Sequence, residues 1–328
     1  MGLPVAVTES AAAKRWGIRK QWYQQLKALT ADLEQIPDRP VLDDNDQQRL
    51  GIKLSEFSAE PGDSATFEDG PKYFTPPLCE DLPISPCCQS LWGGDKYPSD
   101  HRSLWPREPP MNEAAAELVN DYYDGWELAD VITRHWCELQ RGYRTAWTMT
   151  PPGNPVRRHA RYNEITYKDP HKFLVPHVFD MFSARKPHQI LIMISDHPAE
   201  ESSLLRSEVI AMTTFMKWKM RSMSREQSLV YPVMVISIMN LFKVRVLQGH
   251  FDGTLHLRRS KMYDFAVEDH EEVMKIMVCW LRSMPHGDTT LSTQMPIFRR
   301  DPRDNEDDVD ENVDRLTDDK VSRVPAGS

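Results

Sequence analysis

The most regular pattern of apolar and polar positions lies in residues 204–284. Apolar side chains three and four residues apart predict a helix at each end of this stretch, and β-branched or alternating runs predict three strands between them. Short connections between these strands indicate an antiparallel meander. In order, the predicted elements are a helix at 203–223, strands at 231–239, 243–251 and 254–261, and a helix that opens at about Asp269.

The turn between the second and third strands is predicted at 251–254, where an Asp-Gly pair is typical of a tight hairpin. Alternation along the third strand places Leu255 and Leu257 on one side of the sheet. It places His256 and Arg258 on the other side. The hairpin therefore divides apolar from polar side chains across the sheet.

A further strand is predicted at 189–195, because this run is apolar on both faces and too short for a helix. Residues 263–265 are expected to close the third strand of the meander. The predicted fold class is α+β: an antiparallel three-stranded meander plus a further strand, packed against flanking helices. Both flanking helices are expected to cover one face of the meander.

The remaining pattern divides the chain into four segments. Residues 1–36 are expected to hold an amphipathic helix that docks on the protein's own core or on a partner. Residues 37–111 are rich in Pro, Asp, Gly and Ser without periodicity, which predicts an irregular or partly disordered segment. Residues 112–285 form the predicted α+β core domain, and 286–328 a disordered acidic tail.

Charge is concentrated at one end of the chain. The formal net charge is −9, and the ten acidic and four basic residues of 301–328 supply −6 of it. The rest is nearly balanced, so charge favours neither nucleic acid nor a membrane as a partner. The five cysteines are odd in number, include an adjacent pair and are otherwise far apart, so they do not predict a disulfide framework. With no secretory signal and no membrane-spanning run, we expect a cytoplasmic or nuclear protein with reduced thiols.

A helix followed by a three-stranded meander is similar, in topology alone, to the restriction-endonuclease-like fold. That resemblance implies a divalent metal held by an acid of the second strand and a Glu-x-Lys pair of the third. Here Asp252 lies at the turn and Glu208 on the preceding helix, but no acid accompanies Lys261. We therefore expect an inactive core, with Asp252 as a turn residue beside Gly253.

Four side chains are candidate catalytic residues because of their positions. Asp196 and His197 follow a buried strand, and His250 and Asp252 lie at the predicted hairpin. The histidines at 159–197 lack the spacing of a metal motif, and the chain has no phosphate loop, dinucleotide fingerprint or nucleophile elbow. We therefore expect no metal site and no cofactor.

Basic residues suggest a nucleic-acid surface. Lys217 and Lys219 lie near the end of the helix at 203–223, and Arg258 and Arg259 lie on the third strand. An intervening tryptophan offers a ring on which a base can stack. Cations near a helix C-terminus are also favoured by the helix dipole without any ligand. Nucleic-acid binding requires that all four cations share one face.

Three stretches, 231–237, 244–253 and 260–265, resemble a pattern in filamentous-fungal (ascomycete) proteins of unassigned function. The resemblance covers a small part of the chain and carries no residue roles. It implies an intracellular fungal protein of a type sometimes encoded near secondary-metabolite genes.

Three functional hypotheses follow. The leading one is a non-enzymatic interaction or regulatory protein that binds protein partners through flexible arms. The second is an accessory protein or unrecognised enzyme of a fungal secondary-metabolite pathway, with its site near His197 or near Asp252. The third is a nucleic-acid-binding protein with an inactive nuclease-like core. A pocket lined by His197 or His250 with convergent carboxylates would favour the second hypothesis.

Overall fold

The computed structural model describes residues 11–36, 39–60, 71–77, 125, 128–139, 146–149, 173–181, 186–195, 197, 199–222, 228–239, 243–265 and 270–290. Within them, the helices are α1 (Ala11–Gln35), α2 (Asp44–Arg49), α3 (128–139), α4 (Arg206–Ser222) and α5 (His270–Leu281). The strands are β1 (Val41–Leu42), β2 (Ile52–Glu56), β3 (Phe74–Thr75), β4 (Trp147–Met149), β5 (Phe173–Met181), β6 (Gln189–Ser195), β7 (Leu204–Leu205), β8 (Val233–Met239), β9 (Lys243–Phe251), β10 (Leu255–Arg259), β11 (Tyr263–Asp264) and β12 (Met284–Pro285).

A mixed sheet of eight strands organises these elements, in the order β2-β10-β9-β8-β6-β5-β4, with β11 paired to β9. Strands β8, β9 and β10 form the predicted antiparallel meander. The predicted further strand, β6, runs parallel to β8. Parallel neighbours need a crossover connection, and α4 lies within it. The predicted α+β class is therefore confirmed.

Both faces of the central strands are buried, since every residue of β6 and β8 is inaccessible. On one face, residues such as Leu191 and Val235 pack with α1 and α4. On the other face, Ile192 and Ile236 pack with α3 and α5. Helices α4 and α5 thus lie on opposite faces, and the expectation that both cover one face is wrong. Strands that are apolar on both sides need a cover on each side.

The observed helix and strand boundaries differ from the predicted ones by a few residues. Helix α4 begins at Arg206, later than predicted, because the two preceding residues form β7 and pair with β1. The third strand divides at Ser260 into β10 and β11. There, Ser260 N donates to the Val246 carbonyl at 2.9 Å, and Val246 N donates to Ser260 Oγ at 3.0 Å. The side-chain hydroxyl thus replaces a main-chain acceptor of the ladder.

The N-terminal helix predicted within 10–36 is α1. Its residues Leu26, Leu29 and Leu33 are buried in the same cluster as the inner face of α4. The apolar stripe of α1 therefore packs on the protein's own core, which was one of the two expected destinations.

Short regular elements occur in the described parts of 37–111, the segment predicted to be irregular or partly disordered. Strand β2 forms an edge of the main sheet, parallel to β10. Helix α2 is capped by Asp43, whose Oδ1 accepts from Asp46 N at 2.8 Å. These elements are short or largely polar, so periodicity does not reveal them, and pairing with distant strands builds the sheet edge. The rest of this segment lies outside the described residues.

Strand β5 is not apparent from the hydrophobic pattern, although it is among the longest strands. Pro176 and a register shift between Leu174 and His177 interrupt the alternation on which a prediction depends. Strands β5 and β4 extend the sheet beyond β6.

Two other expectations, on the thiols and on membrane spans, can be compared with the structure. Cys279, on α5, is disulfide-bonded, so the expectation of reduced thiols is wrong for this residue. Cys137, on α3, is partly buried. No described helix combines the length and apolar character needed to cross a membrane. The predicted acidic tail comprises residues 286–328, and its residues after Thr290 lie outside the described part of the chain.

A buried ion pair between Glu208 on α4 and Arg245 on β9 connects the helix to the sheet. Arg245 Nε donates to Glu208 Oε1 at 2.9 Å, and Arg245 Nη2 donates to Glu208 Oε2. Both side chains are fully inaccessible. Glu208 Oε2 also accepts from Leu205 N at 2.9 Å, and Arg245 Nη1 donates to the Ser203 carbonyl at 2.7 Å. The pair therefore holds the first turn of α4 against the sheet.

Arg245→Met should lower the free energy of unfolding by about 3–5 kcal/mol, because the Glu208 carboxylate is then buried without its counter-charge. Adding Glu208→Leu should restore part of the loss, since an apolar pair replaces two ions. Urea unfolding followed by circular dichroism measures both effects. Arg39→Met is the control, because that side chain is 55% exposed and solvent screens its ion pairs. Equal losses for the two arginine variants would refute the prediction.

His188 precedes β6 and packs against Tyr73 and Phe74. Its Nε2 donates to the His286 carbonyl at 2.8 Å, which leaves Nδ1 unprotonated in the neutral ring. Nδ1 is buried and makes no hydrogen bond among the described residues. Burial is the main cause that lowers the pKa of His188 to about 4. The folded protein therefore holds this ring neutral near pH 7.

Stability should fall as the pH drops from 6.5 to about 4, because His188 binds a proton in the unfolded state but not in the folded state. Above this window the ring is neutral in both states, and below it the ring is charged in both. The full effect is about 3 kcal/mol. Urea unfolding of the wild type and His188→Gln, at neutral pH and at the acid end of the window, measures it. The prediction fails if the variant shows the same loss as the wild type.

Candidate metal centre

The hairpin between β9 and β10 closes through the three-residue loop 252–254. Gly253 has a φ of 108°, a conformation that favours glycine. Asp252 Oδ1 accepts from the backbone N of the loop's last residue at 3.3 Å. The loop fixes the register of the two strands, and in that register His250 lies directly opposite His256.

Three side chains that can bind a metal ion converge at this hairpin: His250, Asp252 and His256. Their ligand atoms all lie within 4.8 Å of one another. His256 Nε2 is 3.2 Å from Asp252 Oδ1. The two imidazole rings stack with centroids 4.7 Å apart and 6° between their planes. The structure thus brings together two of the four catalytic candidates and adds His256 to them.

His250 is held in its neutral form. The residue is 7% exposed, and the Tyr73 ring lies 4.9 Å from its ring. Burial is the main cause that lowers the pKa of His250 to about 4. His256 and Arg258 also lower this pKa, and the negative charge of Asp252 raises it. A neutral imidazole is the form that binds metal ions, so no proton must leave this ligand first.

Tyr73 precedes β3 and packs over His250. Burial, followed by the charges of two nearby carboxylates, raises the pKa of Tyr73 to about 12, so its hydroxyl remains protonated. The segment after β12 passes close to this ring at Gly287, where φ is 77° and an added Cβ would lie 2.8 Å from Tyr73 Cδ1. Glycine at this position therefore allows the close packing of Tyr73.

A second pair of polar side chains lies next to the histidines, further from the turn. Gln248 on β9 is directly opposite Arg258 on β10. Each is two residues from a histidine along its strand, so all four side chains share one face of the sheet. Gln248 is 5% exposed and Arg258 is 7% exposed. The buried Gln248 Nε2 makes no hydrogen bond among the described residues.

Two imidazoles and one carboxylate form a donor set suited to zinc or non-haem iron. In a tetrahedral site with metal–ligand bonds of about 2.0–2.1 Å, ligand atoms are about 3.3 Å apart. The 3.2 Å between His256 Nε2 and Asp252 Oδ1 fits this spacing. Asp252 is exposed and His256 is partly exposed, so both side chains can adjust to an ion that enters from solvent. Three protein ligands leave a coordination position for water or another ligand.

His197, another of the catalytic candidates, is not at this site. His197 follows β6, whose last residue, Ser195, pairs with the end of β8. The hairpin end of β9 pairs with the start of β8 instead. His197 therefore lies at the opposite end of the sheet, where its backbone N donates to Ser195 Oγ at 3.4 Å. Asp196 lies outside the described residues.

The residues weighed for a nuclease-like metal site are also separate from the hairpin cluster. Both carboxylate oxygens of Glu208 accept hydrogen bonds from Arg245. Lys261 Nζ lies 3.0 Å from Glu60 Oε1, in a segment outside the meander. Neither residue joins Asp252 in the cluster of metal-binding atoms.

The four cations considered for nucleic acid do not share one face. Arg258 and Arg259 are consecutive in β10 and point to opposite sides of the sheet. Arg259 and Lys219 are paired with carboxylates at 2.8 Å and 2.6 Å. Burial is the main cause that lowers the pKa of Lys217 to about 8. The structure therefore does not assemble the surface that the nucleic-acid hypothesis requires.

One signal in the sequence points to the cluster. In the spacing His-x-Asp-x-x-x-His, the two histidines are opposite each other only if the hairpin loop has three residues. This spacing differs from the common metal motifs, in which one or three residues stand between two histidines, and a loop with one residue more would change the pairing.

No protein-family model, no curated protein and no solved structure matches this chain. The resemblances to filamentous-fungal proteins and to restriction-endonuclease-like folds therefore stay predictions. The arrangement of His250, Asp252 and His256 is accordingly the observation from which a function is inferred.

Proposed function

We propose that this protein binds a divalent transition-metal ion at the β9–β10 hairpin, with His250, Asp252 and His256 as ligands. The observation that supports the proposal is the convergence of two imidazoles and a carboxylate within 4.8 Å. Zinc and ferrous iron are the ions that this donor set suits best. The chain is thus a metal-dependent protein whose chemistry takes place at the hairpin.

The backbone prepares the site for an ion. Ladder hydrogen bonds set His250 opposite His256, and the tight loop places Asp252 beside both. His250 is also neutral before the ion arrives. Binding therefore requires side-chain adjustments but no rearrangement of strands, which reduces the entropy lost on binding.

This proposal favours a site near Asp252, as in the second hypothesis from the sequence. A bound ion with an open coordination position supplies a Lewis acid and lowers the pKa of a bound water. Recruitment of a protein partner and binding of nucleic acid stay predictions. A pathway role, which the fungal resemblance implies, also stays a prediction.

A purely structural role for the three residues is the alternative. The His256–Asp252 contact, and the hydrogen bond that Asp252 accepts from the backbone of its own loop, would then only stabilise the hairpin. The two roles differ in a measurable way, because only the metal site makes zinc affinity depend on all three side chains.

Isothermal titration calorimetry of the full-length, chelator-treated protein should show a zinc site that depends on His256 and Asp252. His256→Gln and Asp252→Asn should each weaken that site at least about tenfold, since losing even an outer-shell partner of a metal ligand costs about 10–100-fold. Both side chains are partly exposed, at 30% and 39%, so their replacement spares the core.

His197→Gln is the matched control, because it removes a histidine from the opposite end of the same sheet. It should leave the affinity of this site unchanged. Wild-type zinc affinity in both His256→Gln and Asp252→Asn would rule out the proposed metal centre and leave the structural role.

A further inference from the structure

Cys279, near the end of α5, is fully buried and disulfide-bonded. Its partner is another of the five cysteines of the chain. Arg282 N donates to the Cys279 carbonyl at 3.0 Å, so one tight turn separates this cysteine from β12, which begins at Met284. The partner must therefore reach the end of α5, close to the start of β12.

The pairing of β3 with β12 favours one cysteine as this partner. The strands are antiparallel, and Thr75, the last residue of β3, is opposite Met284, the first residue of β12. The chain that leaves β3 therefore runs back toward the end of α5. Cys79, outside the described residues, follows Thr75 by four positions, which span at most about 14 Å. Cys87 and Cys88 are at least twelve positions away, and a longer loop costs more entropy to close.

Residues 71–77, the covering segment, contact the hairpin through Tyr73, whose ring is 4.9 Å from that of His250. Among the described residues, this segment pairs with β12 through the two residues of β3, and His286 N donates to the Tyr73 carbonyl at 2.8 Å. So short a ladder is marginal by itself. It also joins parts of the chain about 200 residues apart, so forming it costs loop-closure entropy.

We propose that Cys79 and Cys279 form a disulfide that anchors the covering segment to α5, so that the oxidation state of this pair determines how firmly Tyr73 covers His250. The bond supplies what the short ladder lacks, because it restricts the unfolded chain and lowers the entropy lost on closure. The proposal goes beyond the metal centre and does not depend on it, since it concerns the packing of Tyr73 on the hairpin.

Formation of the bond requires an oxidant, and the disulfide of a small thiol, such as oxidised glutathione, is sufficient. The sulfurs of Cys79 and Cys279 join, and their two protons and two electrons pass to the glutathione disulfide, which leaves as two thiol molecules. An excess of the reduced thiol reverses the exchange. The covering segment is therefore anchored in oxidising surroundings and released in reducing ones.

Peptide mapping identifies the bond. Full-length protein incubated with oxidised glutathione is alkylated with N-ethylmaleimide and cleaved with trypsin and with a protease specific for acidic residues. Cleavage after Glu80 separates Cys79 from the adjacent cysteine pair. We expect a linked pair of peptides that contains Cys79 and Cys279 and disappears after treatment with dithiothreitol. A link from Cys279 to any other cysteine, or complete alkylation of Cys279, overturns the proposal.

Cys79→Ser tests the anchoring role in the oxidised protein. It should lower the midpoint of thermal unfolding by about 5 °C or more, because the cross-link is lost. It should also raise the rate at which diethyl pyrocarbonate modifies His250 about threefold or more, since a buried ring reacts only when its cover opens. Mass spectrometry measures this rate, with the partly exposed His256 as the internal reference.

Cys88→Ser is the matched control, because it makes the same substitution at a cysteine that the proposal leaves unbonded to Cys279. It should leave the midpoint and the rate at His250 unchanged. An unchanged rate in Cys79→Ser, or an equal rise in Cys88→Ser, overturns the anchoring role. If Cys79→Ser does not fold, wild-type protein with and without dithiothreitol gives the same comparison, and an unchanged rate again overturns it. No outcome involves zinc, so failure of the anchor is distinguishable from failure of the metal centre.

Discussion

Strands β6 and β8 are buried on both faces, and this constraint determines where most other elements lie. Parallel neighbours need a crossover, so α4 covers one face, and α1 packs beside it. The second face needs its own cover, which α3 and α5 provide. Strand β9 then runs between two apolar layers, where a charge is stable only with a partner. Arg245 points to the α4 side, and Glu208 supplies that partner at the start of α4.

The candidate site lies where one of these apolar layers gives way to polar side chains. On the α5 side of β9, Val244 and Val246 belong to the core. The next two residues on that side, Gln248 and His250, are polar although they are equally buried. Tyr73 packs on His250 in place of a helix. Among the described residues, the aromatic ring of Tyr73 thus covers part of a polar patch that lies beside an exposed loop.

The two buried arginines Arg245 and Arg258 of the meander have different surroundings. Arg245 has a carboxylate of the protein that accepts two of its hydrogen bonds, so its charge is neutralised within the fold. Arg258 lies opposite Gln248, on the same face of the sheet as two imidazoles. The first arrangement stabilises the helix–sheet contact. The second arrangement has the composition of a binding site, because it combines a cation, a donor and metal ligands on one face.

Local apolar and polar patterns predict the meander, the strand β6 and the long helices, because each is long enough for its periodicity to be recognised. They also predict which side of β10 carries His256 and Arg258. The positions of α4 and α5 on opposite faces, and the addition of β2 and β5 to the sheet, depend instead on distant packing and pairing partners, so the local pattern does not predict them. The cluster of metal-binding side chains likewise depends on contacts between strands. His250, Asp252 and His256 converge because of a register set by hydrogen bonds between two strands and by the length of one loop, which residue spacing alone does not specify.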